Sequence, residues 1–233
     1  MRIMTGGLRI SVVIPVLNEA KGINTLIGHV TKHAKGNKIE IIVADGDPRG
    51  GTLAAIENID VIKIVSKKGR GAQMNAGAGA AAGDVLLFLH ADTFLPDDAL
   101  DAIRDVMTDG KYAAGAFDLG IDSHSQAFRI IEGVASLRSR ITRIPYGDQA
   151  IFMKRDIFSA MGGFKDMPIM EDVDLMQALK RSGRSIVIIP RKVRTSSRRW
   201  EAEGIIYCTL RNWALITLYM FGVSPDKLAR LYR

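Results

Sequence analysis

The feature that most constrains this chain is a rhythm in its first hundred residues. Short, largely apolar runs alternate with helix-length segments, and each run ends in a polar or glycine-bearing step. The runs are residues 10–15 (ISVVIP), 40–44 (EIIVA), 61–65 (VIKIV) and 85–89 (VLLFL). Their length and β-branched content mark them as strands. Between them, residues 19–35 place Ile23, Leu26, Ile27 and Val30 at helical spacing, residues 73–82 are small and Ala-rich, and residues 97–107 form another helical segment. Apolar strands alternating with helices predict an α/β fold with a mostly parallel sheet covered on both faces. In such a sheet, ligands bind beyond the C-terminal ends of the strands.

The second half is less regular. Residues 112–121 alternate as a strand would, 126–140 and 171–181 read as helices, and 185–190 (SIVIIP) as a strand. Residues 204–222 form a long apolar helix that carries Arg211 and Asn212. The simplest division is one domain over residues 1–200 and a C-terminal helical extension over 201–233.

Composition narrows the class. Of 233 residues, 47% are hydrophobic and 24% charged, which excludes disordered, collagen-like and coiled-coil chains. The length buries a core without disulfides or a metal staple. Thirty-two basic against 25 acidic residues leave a net charge of +7, which favours anionic partners such as nucleotides and phosphates. The single cysteine, Cys208, allows no internal disulfide and points to a reducing, cytoplasmic compartment. The opening stretch MRIMTGGLRI has no long apolar run and reads as no secretory signal. No stretch reaches the ~18 uncharged apolar residues of a membrane span.

The steps after the strands carry the chemistry. Pro15, Asn18 and Glu19 follow the first, and Asp45-Gly46-Asp47 the second. Lys67-Lys68-Gly69-Arg70-Gly71 follow the third, and His90-Ala91-Asp92 the fourth. Asp45 can accept hydrogen bonds from a base or sugar edge. The Lys/Gly/Arg loop offers charge and close backbone approach to phosphate. Asp92 is a hard oxygen ligand suited to Mg²⁺ or Mn²⁺ bridging a diphosphate. Together they describe a nucleoside-diphosphate site.

On these residues the chain resembles family 2 glycosyltransferases of the GT-A, Rossmann-like fold. The motifs, in order, are residues 13–19 (VIPVLNE), Asp45-Gly46, Gly69-Arg70-Gly71 with Asn75, residues 89–92 (LHAD), Glu171-Asp172 and Arg198-Arg199-Trp200. The tail is also similar to the bacterial radical-SAM/selenodomain-associated branch linked to arsenosugar biosynthesis. The resemblance implies transfer of a sugar from a nucleoside-diphosphate sugar, a UDP- or GDP-sugar, to an acceptor the sequence does not name. It implies that Pro15, Asn18 and Glu19 surround base and ribose and that Asp45 contacts the base. Gly69, Arg70 and Asn75 would flank the ribose-diphosphate. Ala91 and Asp92 would meet the donor, with Asp92 holding Mg²⁺ or Mn²⁺. Asp172 would be the general base of an inverting reaction, with Glu171 its rival one residue earlier. Arg198, Arg199 and Trp200 would bind diphosphate or acceptor, and Asp148 and Gln149 would face the acceptor. Two departures stand out. His90 replaces the first carboxylate of the metal motif, as a ligand, a ribose contact or a weakening of the metal site. Asp47-Pro48 replaces small hydroxyl residues.

Plainer readings exist for several of these. Asp45-Gly46 is a turn signal, Asn18-Glu19 suits a helix N-cap, and Glu171-Asp172 suits a helix dipole. Gly77 and Gly79 read as close helix packing. His29 and His33, at i and i+4, read as a solvated helix face. The cations from Arg191 to Arg199 have no acidic neighbour in sequence and read as a solvated strand edge or an anion contact. The C-terminal helix is too apolar for a free surface, so it is covered by the protein, paired in a homodimer, or laid on the inner face of a membrane, where Arg211 argues against spanning. A nucleotidyltransferase would want its Gly-rich basic loop after the first strand. A nucleic-acid-binding protein would want aromatics among its cations, and only 6% of residues are aromatic, so no nucleic-acid partner is expected.

Overall fold

The computed structural model describes residues 7–34, 36 and 38–232. The first six residues of the opening stretch, and Lys35 at the predicted end of the first helix, lie outside the described residues. In chain order the elements are β1 (Ile10–Val16), α1 (Ile23–Lys32), β2 (Ile39–Asp45), α2 (Gly51–Ala54), β3 (Ile62–Val65), α3 (Arg70–Ala80), β4 (Val85–Phe88), β5 (Thr93–Phe94) and α4 (Ala99–Thr108). Then follow β6 (Ala114–Asp118), β7 (Ile121–Asp122), α5 (Gln126–Thr142), a 3-10 turn (Gly147–Gln149), β8 (Phe152–Lys154), α6 (Arg155–Ala160) and α7 (Glu171–Arg181). The chain closes with β9 (Ile186–Lys192), β10 (Arg194–Ser196), α8 (Arg198–Glu203), α9 (Ile205–Met220) and α10 (Pro225–Leu231).

The fold is α/β, with a seven-stranded sheet in the order β3-β2-β1-β4-β8-β6-β9. The strands β1 to β4 are mutually parallel, as are β6 and β9, and only β8 runs antiparallel to its neighbours. Alternate side chains of β1 explain the two apolar faces: Val12, Ile14 and Val16 join the core under α1 and α4, whereas Val13 joins the core under α3, α6 and α7. A small sheet, β5-β10-β7, caps the C-terminal ends of the large one.

Several expectations are corrected. The first helix begins at Ile23, not Glu19: Asn18 adopts φ 61°, and the Gly22 N–H closes a turn on the Glu19 carbonyl. The strand expected over 112–121 is split at Gly120, where a Cβ would lie 2.3 Å from the Val193 carbonyl oxygen. Gly77 is indeed a packing glycine, its Cβ position 2.4 Å from Val13 Cγ1, but Gly79 has nothing within 4 Å. His29 and His33 are not a solvated face: His29 Nε2 lies 2.9 Å from the Leu95 carbonyl oxygen and its ring packs edge-on to Phe94, beside that of His33. The basic cluster is neither bare nor one edge. Arg191 pairs with Asp98 at 2.8 Å, Lys192 with Glu132 at 2.8 Å, and Arg198 with Glu19 and Asp92. The acidic partners come from elements distant in sequence.

Candidate active site

The rim beyond β1, β2 and β4 collects the donor-side residues. Pro15 is buried within β1 opposite Ala44, and Asn18 and Glu19 follow on the turn into α1. Asp45 ends β2 fully buried, and its two oxygens accept the backbone N–H groups of Asp47 (2.9 Å) and Thr52 (3.1 Å). The carboxylate thus organises its own turn, while Thr52 Oγ1 accepts the Glu19 N–H at 3.2 Å. Asp47 serves Arg49, accepting its backbone N–H at 3.0 Å and its guanidinium, which lowers the Asp47 pKa. Gln73, absent from the sequence reading, donates from Nε2 to the carbonyls of Val16 (2.6 Å) and Ala44 (3.0 Å) and so ties the ends of β1 and β2 together. A lone buried Gln in an Ala-rich helix was the available signal.

Gly69, at φ 136°, opens α3, and Arg70 follows it. Arg70 Nε lies 3.6 Å from Glu171 Oε1, which links the basic loop to the first turn of α7. Asn75 is spent on structure: its Nδ2 donates to the Phe164 carbonyl (2.7 Å) and its Oδ1 accepts the Phe164 N–H (2.9 Å). Beside it, Gly71 leaves only 3.0 Å between a would-be Cβ and the Lys165 carbonyl oxygen. The segment leading to α7 is therefore clamped onto α3.

Past β4, His90, Ala91 and Asp92 turn toward the second half of the chain. Asp92 Oδ2 lies 3.5 Å from Arg198, which also approaches Glu19 at 3.7 Å. Burial, with the Arg70 charge adding to it, lowers the His90 pKa to about 3, so the ring is neutral. A Cβ on Gly147 would lie 2.8 Å from His90 Nε2 and 3.2 Å from Asp172 Oδ2. Only glycine leaves room for both groups beside this stretch of backbone. Asp172 Oδ2 accepts the Gly147 N–H at 2.5 Å, and Oδ1 the Val173 N–H at 2.7 Å.

Burial raises the Glu171 pKa to about 7, Asp172 adding to the effect and Arg70 opposing it. Burial likewise raises Asp148 to about 6 against the pull of Arg138, and Asp148 Oδ1 is buried without a hydrogen-bond partner. Arg138, which the sequence did not single out, stacks 3.2 Å over the Tyr146 ring and stands near both Asp148 and Asp172. No one-dimensional signal marks it among the other cations of α5. Gln149 is a hub and not a free contact. It is buried, donating to the Phe117 carbonyl (2.8 Å) and accepting from Ser139 Oγ (2.8 Å), Arg138 (3.2 Å) and the Tyr146 N–H (3.1 Å). Of the late basic-aromatic trio, only Arg198 reaches the rim. Arg199 lies over the Tyr232 ring, and Trp200 donates to Thr209 Oγ1 (3.2 Å) and packs on Phe128.

Known proteins resemble this chain in sequence and in fold. The chain is 25% identical over 178 residues to the dolichol-phosphate mannosyltransferase of Pyrococcus furiosus, covering 72% of this chain and 49% of that protein. It is 31% identical over 91 residues to glycosyltransferase AglE of Haloferax volcanii, covering 36% of this chain and 30% of that protein. The chain thus spans half or less of these relatives. Among solved structures, the mannosyltransferase PcManGT of Pyrobaculum calidifontis, in complex with GDP-Man and Mn²⁺, matches with a TM-score of 0.69 at 17% identity, covering 97% of this chain and 68% of that one. TarS 1–349 of S. aureus with UDP-GlcNAc matches with a TM-score of 0.61 at 15% identity, covering 81% and 58%. These structures share the GT-A fold. The model of the family described as glycosyl transferase family 2 matches residues 11–165, and the chain belongs to that family.

Proposed function

We propose that this chain transfers a sugar from a UDP- or GDP-sugar to a hydroxyl acceptor with inversion, with Asp172 as general base. One observation carries the reading. Gly147 lies beside both Asp172 and His90, so the acceptor-side carboxylate and the strand end bearing Asp92 border the same backbone position. Asp172 takes the proton of the acceptor hydroxyl as its oxygen forms the bond to the anomeric carbon. The bond from that carbon to the diphosphate breaks, and the nucleoside diphosphate leaves. Arg70 and Arg198 lie where they can meet its charge. Asp148, with its unpartnered oxygen, orients the acceptor.

Asp92 and the neutral His90 would hold Mg²⁺ or Mn²⁺. Among the described residues no group of three His, Cys, Asp or Glu side chains could hold a metal alone. An ion here therefore needs diphosphate oxygens and water to complete its shell, which suits a hard cation. When bound, it would offset charge on the leaving diphosphate. The Mn²⁺ and GDP-Man of the Pyrobaculum structure and the UDP-GlcNAc of the TarS structure support this donor class.

The same reading takes residues 1–200 as the transferase domain and 201–233 as a helical extension, in a cytoplasmic protein that meets a membrane face or a second copy through that extension. No helix among the described residues is long and apolar enough to cross a membrane. The tail's likeness to the radical-SAM/selenodomain-associated branch is part of the same reading. The decisive test is Asp172→Asn. Transfer is expected to fall by about 10²–10⁴-fold with donor affinity kept. Unchanged turnover would remove Asp172 as base and leave a sugar-nucleotide-binding protein as the reading to pursue.

A further inference from the structure

Exposed apolar side chains are concentrated on two helices. α5 is built in reverse. Its inward positions include Phe128, Glu132, Ser136 and Ser139, whereas Ile130, Val134, Leu137 and Ile141 stand in solvent, Ile130 and Ile141 at 70% and 71% of full exposure. Spaced by four, three and four residues, those four form one stripe. The inward polar groups are all engaged. Glu132 accepts the Ile121 N–H and pairs with Lys192, Ser136 accepts the Leu119 N–H, and Ser139 donates to Gln149. The reversed orientation is thus locked by hydrogen bonds. At 100° per residue, Arg129 and Arg140 run along one border of the stripe, each about half exposed and each paired with an inward acid, Glu132 and Asp118.

α9 repeats the pattern. Every fully exposed position on it is uncharged. Ile206 is 76% exposed and Trp213 47%, and Phe221 just beyond its end is 84% exposed. Its one charge, Arg211, is turned inward and pairs with Glu203 at 2.5 Å. Sixteen residues span about 24 Å, and no helix among the described residues can cross a membrane. The two helices meet where Phe128 packs with Trp200 and Ile205.

We propose that the exposed faces of α5 and α9 form a docking surface for an anionic lipid bilayer, along which they lie without crossing. Three features select a bilayer over a second copy of the chain. The α9 face carries Tyr207, Trp213 and Phe221, aromatic side chains suited to the boundary between acyl chains and headgroups. Beyond the paired Arg129 and Arg140, Arg143 is exposed at the end of the α5 stripe, and Lys227 and Arg230 are exposed on α10 beside a single exposed acid, Asp226; these three cations complement anionic headgroups. Uncharged outer faces with charge kept to their borders are the pattern of an interfacial helix. The opposite side of α9 packs on α7, where Tyr219 donates to Asp174 at 3.0 Å, so the exposed face of α9 points outward. This inference rests on the proposed membrane contact of the C-terminal extension and deepens it by adding α5 and the lipid charge; vesicle binding is measured without donor or acceptor, so its failure leaves the transferase reading standing.

The test is co-sedimentation of the full chain with vesicles of phosphatidylcholine alone and of phosphatidylcholine mixed with phosphatidylglycerol. The chain is expected to pellet with the mixed vesicles and to be released by salt. Leu210→Glu with Trp213→Glu on α9, and Ile130→Glu with Leu137→Glu on α5, should each weaken binding by about tenfold or more, with the thermal midpoint unchanged because all four positions are exposed. A wild-type chain that stays in the supernatant with both vesicle types overturns the proposal. So does full binding by either double variant. A stable dimer by light scattering that either variant splits into monomers would assign the surface to a second copy instead.

Discussion

On the β1–β4 side of the molecule, each functional side chain lies within a few residues of the strand that presents it. Glu19 follows β1, Asp45 ends β2, Arg70 follows β3 and Asp92 follows β4. On the other side the groups come from far apart. Arg138 arrives from α5, Asp148 from the turn before β8, Asp172 from α7 and Arg198 from α8. The first side is organised by local turns over a dry, two-faced sheet. The second is organised by long-range polar bonds, and it hides polar groups inside α5 while showing apolar ones outside. The contrast teaches that the rim beyond β1–β4 is a property of the sheet, whereas the opposite rim depends on a hydrogen-bond frame.

The sharpest way to break this contrast is at Gln149. Gln149→Ala strands the Phe117 carbonyl, the Tyr146 N–H and Ser139, and it should lower unfolding free energy by about 2–5 kcal/mol in urea titration. A loss below about 1 kcal/mol would mean the frame is not what holds the acceptor side. A smaller effect sharpens the donor side. Gly77→Ala pushes a methyl into Val13 and should cost about 1–3 kcal/mol. Gly79→Ala, two residues on and facing open space, should gain about 0.5–1 kcal/mol. Equal effects from the two would refute close α3–β1 packing as the reason for glycine there.

The mildest test is pH. Burial raises the pKa of Asp148 from 3.8 to about 6 and of Glu171 from 4.5 to about 7, so folding favours their protonated forms. Their contribution is therefore fully present below about pH 4 and is lost as pH rises through 6 and 7. Asp148→Asn and Glu171→Gln should gain thermal midpoint relative to the unsubstituted chain as pH is raised across that window. A constant difference between variant and parent from pH 4 to 8 would show that the acceptor-side carboxylates are not held against their charge.

The four parallel strands, their helices and the polar steps after them were legible in the sequence, because apolar run length and turn residues are local signals. Motif order picks out Asp172 and Asp92 as candidates, although not the neighbours that surround them. Asn75 and Gln149 read as ligand contacts, yet their amides are bonded to backbone carbonyls and amides far along the chain. Nothing in sequence spacing distinguishes an amide that faces a ligand from one that holds a loop. His29 and His33 misled for the same reason: the surface they pack on is supplied by residues 94 and 95.

By itself, then, the sequence determined a largely parallel α/β sheet with a polar rim, since strand period, turn chemistry and charge act over a few residues. Only the tertiary structure decided which carboxylates meet, which cations are already paired and which faces of α5 and α9 remain bare. Those depend on contacts between residues tens of positions apart, where a helix's buried side is chosen by its partner and not by its own composition.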